Sequence, residues 1–301
     1  MKRGKKIIPA LIAIFVSIVA VFIAISSDEP SDCFTWKVKI NESTFYLAGS
    51  VHTATKENYP LPKSYMKSYQ KADKVIFELA DDFSTLEKKI FQYAEKDRLH
   101  EDQFLNHHLS TESIVKLKLI FQEDKLNKYF QYEAWVLNMA ISGSKTRIIG
   151  YEPLLAIDKY FHELAVKDEK EIIGLDSVKT QVLLFDFDIP FEMQVKIIEK
   201  VVNEMEIKAK NEEPLLRAYF ENDIQQFEKE FLIPFDFDKP QMKQAYDMVF
   251  TNRNTKWVEQ FEKMSNEKAD TYFVIVGSGH YFGPNNIREL LKEKGYTIEK
   301  I

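Results

Sequence analysis

Two segments set a histidine three residues after a glycine: Gly49-Ser50-Val51-His52 and Gly277-Ser278-Gly279-His280. Each follows a strand-forming run, TFYLAG before the first and YFVIVG before the second. A glycine at a strand end lets the chain turn through a positive φ or approach another backbone closely, and the residue three positions on then stands over the sheet edge. An imidazole held there can bind a metal or move a proton. One such motif alone reads as a histidine satisfied in a turn. With 9 glycines and 6 histidines in 301 residues, two of them behind two strands point to a shared purpose.

Between the two histidines lies VIFELA, where Glu78 interrupts an otherwise apolar run. A buried carboxylate without a partner is costly, so Glu78 must meet a cation, a metal or a hydrogen-bond network, or face a crevice at the strand end. Arg253, in the helix-like VFTNRNTKWVEQF with Trp257 and Phe261 four and eight residues on, is a fourth candidate; taken alone it reads as a solvated or ion-paired arginine. His107 and His108 read as an exposed loop, and His100 and His162 sit in helical, charged surroundings. No HExxH, phosphate-binding loop, GxSxG or paired-cysteine zinc motif occurs. Ser278 beside His280 is a weaker nucleophile candidate, because glycines on both sides suit a plain turn equally well.

These residues need a sheet to hold them. FTWKVKI and TFYLAGS read as a hairpin across the turn NES, PLPKSYMKSYQKA as a helix, and KVIFELA as a buried strand, which together give strand, helix, strand. Residues 84 to 143 carry apolar residues at helical spacing in STLEKKIFQYAEK, STESIVKLKLIFQE and KYFQYEAWVLNMAIS, a helical insertion. TRIIGYE and KEIIGLD are expected to be short strands around the helix PLLAIDKYFHELAVK. Helices then dominate from about 190 to 265, before the strand TYFVIVG, the helix PNNIRELLKEKG stopped at Gly295, and a last strand YTIEKI. The expectation is one α/β domain with a mixed sheet and a helical cap, its working crevice beyond the carboxyl ends of the strands.

Residues 1–26 carry Lys2, Arg3, Lys5 and Lys6 ahead of an uncharged run from Ile7 to Ile25. That run spans about 28 Å as a helix, close to the roughly 30 Å hydrocarbon core, which favours an uncleaved anchor; Ala24-Ile25-Ser26 also fits a cleavage site. Either way, residues 35–301 are expected outside a bacterial membrane, after a linker over 27–34, tethered to it or secreted. The formal net charge is −6, and setting the four N-terminal cations aside leaves −10 on the rest, a poor match for nucleic acid or anionic lipid. Cys33, the single cysteine, cannot form an internal disulfide, which suits a bacterial surface or periplasm.

Taken together, YLAGSVHTATKENYPLPKSYMKSYQKADKVIFELAD, IIGLDSVKTQVLLFDFDIPFEMQ, TNRNTKWVEQF and FVIVGSGHYFGPNNIRELLKEKGYTIEKI resemble, in order, the blocks of the TraB/GumN family, which includes the Tiki proteases. The likeness covers about residues 35 to 301. It implies an EreA/ChaN-like α/β fold and, by analogy with Tiki members, a peptidase dependent on a divalent metal, manganese or cobalt and possibly zinc. Carried onto this chain, His52 and His280 would be metal ligands or catalytic histidines, Glu78 a ligand or general base, and Arg253 a charge stabiliser. Asp176 stands where the family usually has Glu, which puts any supporting role of that shorter carboxylate in doubt. The resemblance leaves other functions open: a metal-independent esterase with a histidine base, or a surface module that sequesters a peptide pheromone, as TraB is linked to pheromone shutdown, or haem, as ChaN is linked to haem.

Overall fold

The computed structural model describes residues 34–185 and 190–301. The expected anchor or signal over 1–26 and most of the linker over 27–34 lie outside them. Among the described residues no helix is long and apolar enough to cross a membrane.

Strands β1 (Thr35–Ile40) and β2 (Ser43–Ser50) pair antiparallel through the short turn at Asn41, whose φ of 51° suits asparagine. The chain then forms α1 (Lys63–Lys71) and β3 (Lys74–Phe77). Four helices follow: α2 (Phe83–Ala94), α3 (Thr111–Leu117), α4 (Glu123–Tyr129) and α5 (Ala134–Ser144). Next come α6 (Ile157–Lys167), β4 (Glu171–Gly174) and α7 (Val178–Val182), then the long α8 (Phe191–Phe220), α9 (Ile224–Leu232), α10 (Pro240–Tyr246) and α11 (Asn252–Glu267). The chain closes with β5 (Thr271–Gly277), α12 (Ile287–Glu293) and β6 (Ile298–Lys300).

The described strands form one mixed sheet in the order β4-β3-β5-β2-β1-β6. β2, β5, β3 and β4 run parallel to one another, while β1 is antiparallel to both β2 and β6. The burial pattern follows from this. β2 and β5, covered on both faces, are almost continuously buried, whereas β1 keeps Lys37 and Lys39 outward and sets Trp36, Val38 and Ile40 into the core. One apolar cluster packs around the sheet; a second, with Leu117, Leu126, Trp135, Leu137, Val182 and Ile198 among its members, holds the helical region together.

Two expectations differ from the structure. TRIIGYE is not a strand: Lys145–Ile149 is a 3₁₀ turn ended by Gly150 at φ 85°, and only an isolated bridge joins Glu152 to Ala54. Two isoleucines favour a ladder, but Arg147 is tied instead to the Ile120 carbonyl at 2.7 Å, and no strand among the described residues receives the segment. The helical pattern over 128–142 is split, because α4 ends at Tyr129 and α5 restarts at Ala134, whose N–H donates to Gln194 Oε1 at 2.9 Å.

The carboxyl ends of β2, β3 and β5 reach the same edge. Ser50 pairs with Gly277, and Phe77 with Ile275. Neither glycine of the two Gly-x-x-His motifs has a positive φ. At Gly49 the reason for glycine is close approach: a β-carbon there would stand 2.5 Å from Ser278 Oγ and 3.3 Å from Phe34 Cβ. The Gly49 carbonyl is held from the other side by the Tyr65 and Tyr219 hydroxyls at 2.7 and 2.8 Å. Gly49→Ala is therefore expected to lower stability in urea unfolding by about 1–3 kcal/mol. Ser278→Gly in the same chain should recover part of the loss, a coupling that equilibrium unfolding of the single and double variants measures.

Candidate functional site

Glu78 is the first residue beyond β3. Its Oε1 accepts the Gly277 N–H at 2.9 Å, and its Oε2 accepts from Gln181 Nε2 at 3.0 Å and from Arg253 Nη2. Asp176, two residues past β4, is carried to the same place because the ladder continues: its N–H donates to the Glu78 carbonyl at 2.8 Å. Asp176 Oδ2 accepts from Arg253 Nε at 2.7 Å, and Oδ1 from the Trp257 indole at 3.1 Å. Arg253 thus bridges two carboxylates, with side chains 7% exposed for Arg253 and 16% and 6% for Glu78 and Asp176. The shorter aspartate reaches both Arg253 and Trp257.

Arg253 sits in the first turn of α11, just after a π-helical turn over Asp247–Thr251. Its remaining arm, Nη1, donates to the Val249 carbonyl at 3.1 Å and faces His280 Nε2 at 3.3 Å. Trp257, one turn on, lies under the guanidinium at 4.6 Å and against the His280 ring at 4.3 Å. Of the two readings for a bare arginine, solvated or ion-paired, the structure shows the ion-paired one: each of the three guanidinium nitrogens has a partner inside the protein.

His280 is buried, its side chain 4% exposed, with Nε2 3.8 Å from Glu78 Oε1. Its Nδ1 lies 2.6 Å from Asn254 Oδ1, and the Asn254 amide nitrogen donates to the Asn285 carbonyl at 3.0 Å, which leaves Oδ1 to accept. That network assigns the His280 proton to Nδ1 and the lone pair to Nε2. Burial pushes the His280 pKa down to about 3, against the pull of Glu78 and with the Arg253 charge adding to the effect, so the imidazole is neutral. For Glu78, burial alone would raise the pKa; the charge of Arg253 foremost, helped by the Gly277 N–H, outweighs it and holds the carboxyl well below the usual range.

His52 is the exposed member, its side chain 63% exposed. Its loop is tied to α6 by Ile157 N–H donating to the Val51 carbonyl at 3.2 Å, and its Nδ1 meets Asp158 Oδ2 at 3.0 Å. The Asp158 charge raises the His52 pKa above its usual 6.5, an effect that water around so open a ring dampens. The other nitrogen points inward: a β-carbon built on Gly277 would lie 3.6 Å from His52 Nε2, 3.2 Å from Glu78 Oε1 and 3.8 Å from His280 Cδ2. Gly277 is therefore the floor on which the three side chains converge, and glycine leaves that floor bare.

The structure brings His52, Glu78, Arg253 and His280 to one place. The other histidines stand apart: His162 Nε2 meets the Ala80 carbonyl at 3.0 Å inside the core, and His108 Nε2 the Asp102 carbonyl at 2.8 Å. Asp158, Gln181 and Asn254 escaped the reading of the sequence. An aspartate in the first turn of a helix, a glutamine in a polar stretch and an asparagine beside an arginine all have ordinary local explanations. Only Asn254, adjacent to Arg253, carried a usable hint.

A divalent metal is implied by the family resemblance, and the donors are of a fitting type. Each histidine has its Nδ1 held by an oxygen acceptor, Asp158 or Asn254, the arrangement that orients a metal-bound imidazole. The set as arranged does not fit an ion. Arg253 Nη1 faces the His280 lone pair, both Glu78 oxygens are engaged, and the described residues contain no group of three His, Cys, Asp or Glu side chains placed to hold one.

Comparison with known proteins supplies the lineage. The model of the TraB/PrgY/gumN family matches residues 34–300. The chain belongs to the TraB/PrgY/gumN family. Among curated TraB-type relatives it is 22% identical over 250 residues to the uncharacterized protein YbaP of Escherichia coli (strain K12), a match covering 82% of this chain and 88% of that one. YbaP of Shigella flexneri is likewise 22% identical, with 82% and 87% covered. No solved structure matches.

Removing the central cation tests how much the site depends on it. Arg253→Leu is expected to cost about 3–5 kcal/mol in urea unfolding, since it leaves buried Glu78 and Asp176 without their counter-charge. The sign with pH follows from Glu78. Its folded pKa is depressed, so its contribution is complete above its ordinary 4.5 and is lost as pH falls through the folded value. Stability of the wild type should drop as pH falls below about 4.5, and the Arg253→Leu chain should show a flatter acid dependence in the same measurement.

Proposed function

We propose that this TraB/PrgY/gumN member is a hydrolase acting on the carbonyl of a peptide or ester. The observation that carries the reading is the meeting of His52, oriented by Asp158, with the Glu78, Arg253 and His280 network around the bare face of Gly277. Within it, His52 is the general base. It alone combines access to solvent with a carboxylate partner that fixes its tautomer and strengthens its basicity.

In the proposed step His52 Nε2 takes a proton from a water molecule as the water oxygen bonds to the substrate carbonyl carbon. When the tetrahedral intermediate collapses, the bond to the leaving amine or alcohol breaks and the proton passes from His52 to that group. Arg253 acts on the developing negative charge through its field, since each of its three nitrogens already donates within the protein. Glu78, with both oxygens engaged and its pKa depressed, anchors Arg253 and is a poor base; the role considered for it passes to His52.

The metal-dependent peptidase of the family resemblance, using Mn2+ or Co2+ and possibly Zn2+, remains a second reading, favoured by the oxygen acceptors on both histidine Nδ1 atoms. Chelation separates the two: activity insensitive to a chelator supports the histidine-base reading. The EreA/ChaN-like fold belongs to the same proposal, as does an extracytoplasmic location, bound to the membrane through residues 1–26 or released by cleavage there. The sequestering alternative differs in outcome, since a peptide-binding module would hold ligand without turnover.

Incubating the full chain with peptide and ester libraries, with and without chelator, tests the reading. Cleavage is expected, with kcat/KM rising with pH as His52 loses its proton, on a limb whose midpoint lies above 6.5. Asp158→Asn should move that midpoint down toward 6.5, and His52→Ala should lower kcat about 10²–10⁴-fold while binding persists. Binding without cleavage of any library member would favour the sequestering module instead.

A further inference from the structure

Phe34 joins the start of β1 to the candidate site: its carbonyl accepts, at 2.8 Å, the N–H of Gly49, the glycine that opens the His52 motif. Because β1 runs antiparallel to β2, the chain passes from residue 33 into the domain at the carboxyl ends of β2, β3 and β5. The opposite edge, at Asn41 and Glu42, is the full length of β2 away, and its 8 residues at about 3.3 Å each span about 26 Å. Ile25 closes the uncharged run, and the nine steps from there to Phe34 cover at most about 32 Å of extended chain. Turning the far edge toward a bilayer that holds residues 7–25 would use nearly all of that reach. Presenting the carboxyl edge uses little of it.

The same end carries an exposed apolar turn. α9 leans on it through Phe227, whose ring is 4.9 Å from that of Phe34, and through Phe231, whose ring lies 2.7 Å from a β-carbon built on Gly279. In the turn that follows α9, Phe235 packs against Phe250 at 6.0 Å, and Phe250 against His280 at 5.1 Å. Ile233 and Phe237, on either side of Phe235, are left outward at 67% and 37% exposure, and Pro234 is exposed with them. Apolar side chains held out to water beside a tether gain by entering the interfacial zone of a bilayer. The turn also carries Asp236 and Asp238, with Lys239 paired to Asp236 at 2.8 Å, so its match is a zwitterionic lipid surface and not an anionic one. We propose that the carboxyl edge of the sheet faces the bilayer that holds residues 7–25, with Ile233 and Phe237 seated among zwitterionic headgroups. The proposal rests on the membrane-bound form of the location put forward above; under the hydrolase reading it narrows the substrate to peptides or esters presented at the membrane surface.

The full chain in phosphatidylcholine nanodiscs tests this by energy transfer to acceptor dyes on lipid headgroups. In a Cys33→Ser background, a donor dye is placed on Lys56→Cys, four residues past His52 and beyond the end of β2, or on Glu42→Cys at the opposite edge; both positions are exposed. Transfer from position 56 should exceed that from position 42 about twofold or more, given the roughly 26 Å between the edges. Ile233→Asp with Phe237→Asp, substitutions at outward positions, should shrink the difference without changing the amount of chain in the discs. Equal transfer from the two positions, more from position 42, or a difference that the double substitution leaves untouched would overturn the proposal. A chain that fails to enter the discs removes the membrane-bound location itself, whereas an inserted chain with equal transfer overturns the orientation alone. None of these readouts depends on turnover, so failure to find a hydrolysed substrate is a separate result.

Discussion

Arg253 between Glu78 and Asp176 is the interaction on which the candidate site rests. Two carboxylates brought to the dry ends of β3 and β4 would repel one another and lose hydration; one planar guanidinium answers both, donating through Nε to one and Nη2 to the other. The arrangement is fixed from several sides. Trp257 stacks beneath the cation and donates to Asp176, Gln181 and Gly277 donate to Glu78, and the third arm of Arg253 looks at the lone pair of His280. A lysine could supply the charge but not this fork.

Around that fixed centre the two histidines are given opposite environments. His280 lies in the dry interior, its tautomer set by Asn254 and its ring held neutral. His52 stands in water with a carboxylate at its back, inclined to keep its proton. Two like side chains thus have their proton affinities driven apart at one spot. The parallel packing of β2, β5 and β3 makes the meeting possible, because it aligns three carboxyl ends on one edge.

Much of this arrangement is legible in the order of the amino acids. The two Gly-x-x-His motifs, Glu78 in an apolar run and Arg253 ahead of Trp257 each break a local pattern, and such breaks are visible in a linear chain. The strands ending at Gly49 and Gly277 are equally legible, since buried strands in a parallel sheet read as short continuous apolar runs. TRIIGYE fails for the converse reason: β-branched residues describe a suitable surface, and a strand exists only where a neighbour offers a ladder. Asp158 and Gln181 are invisible because nothing in their surroundings distinguishes a partner of a distant side chain from an ordinary surface residue.

The sequence by itself determined the family, the α/β class, and the residue types able to do chemistry, because apolar periodicity and glycine placement are local properties of the chain. Only the tertiary structure decided who pairs with whom. It gave Asp158 to His52, Asn254 to His280, and Arg253 jointly to Glu78 and Asp176. The physical reason is that hydrogen bonds and charge pairing act over a few ångströms between groups as far as 199 positions apart at this site, and their geometry is set by how the strand ends line up.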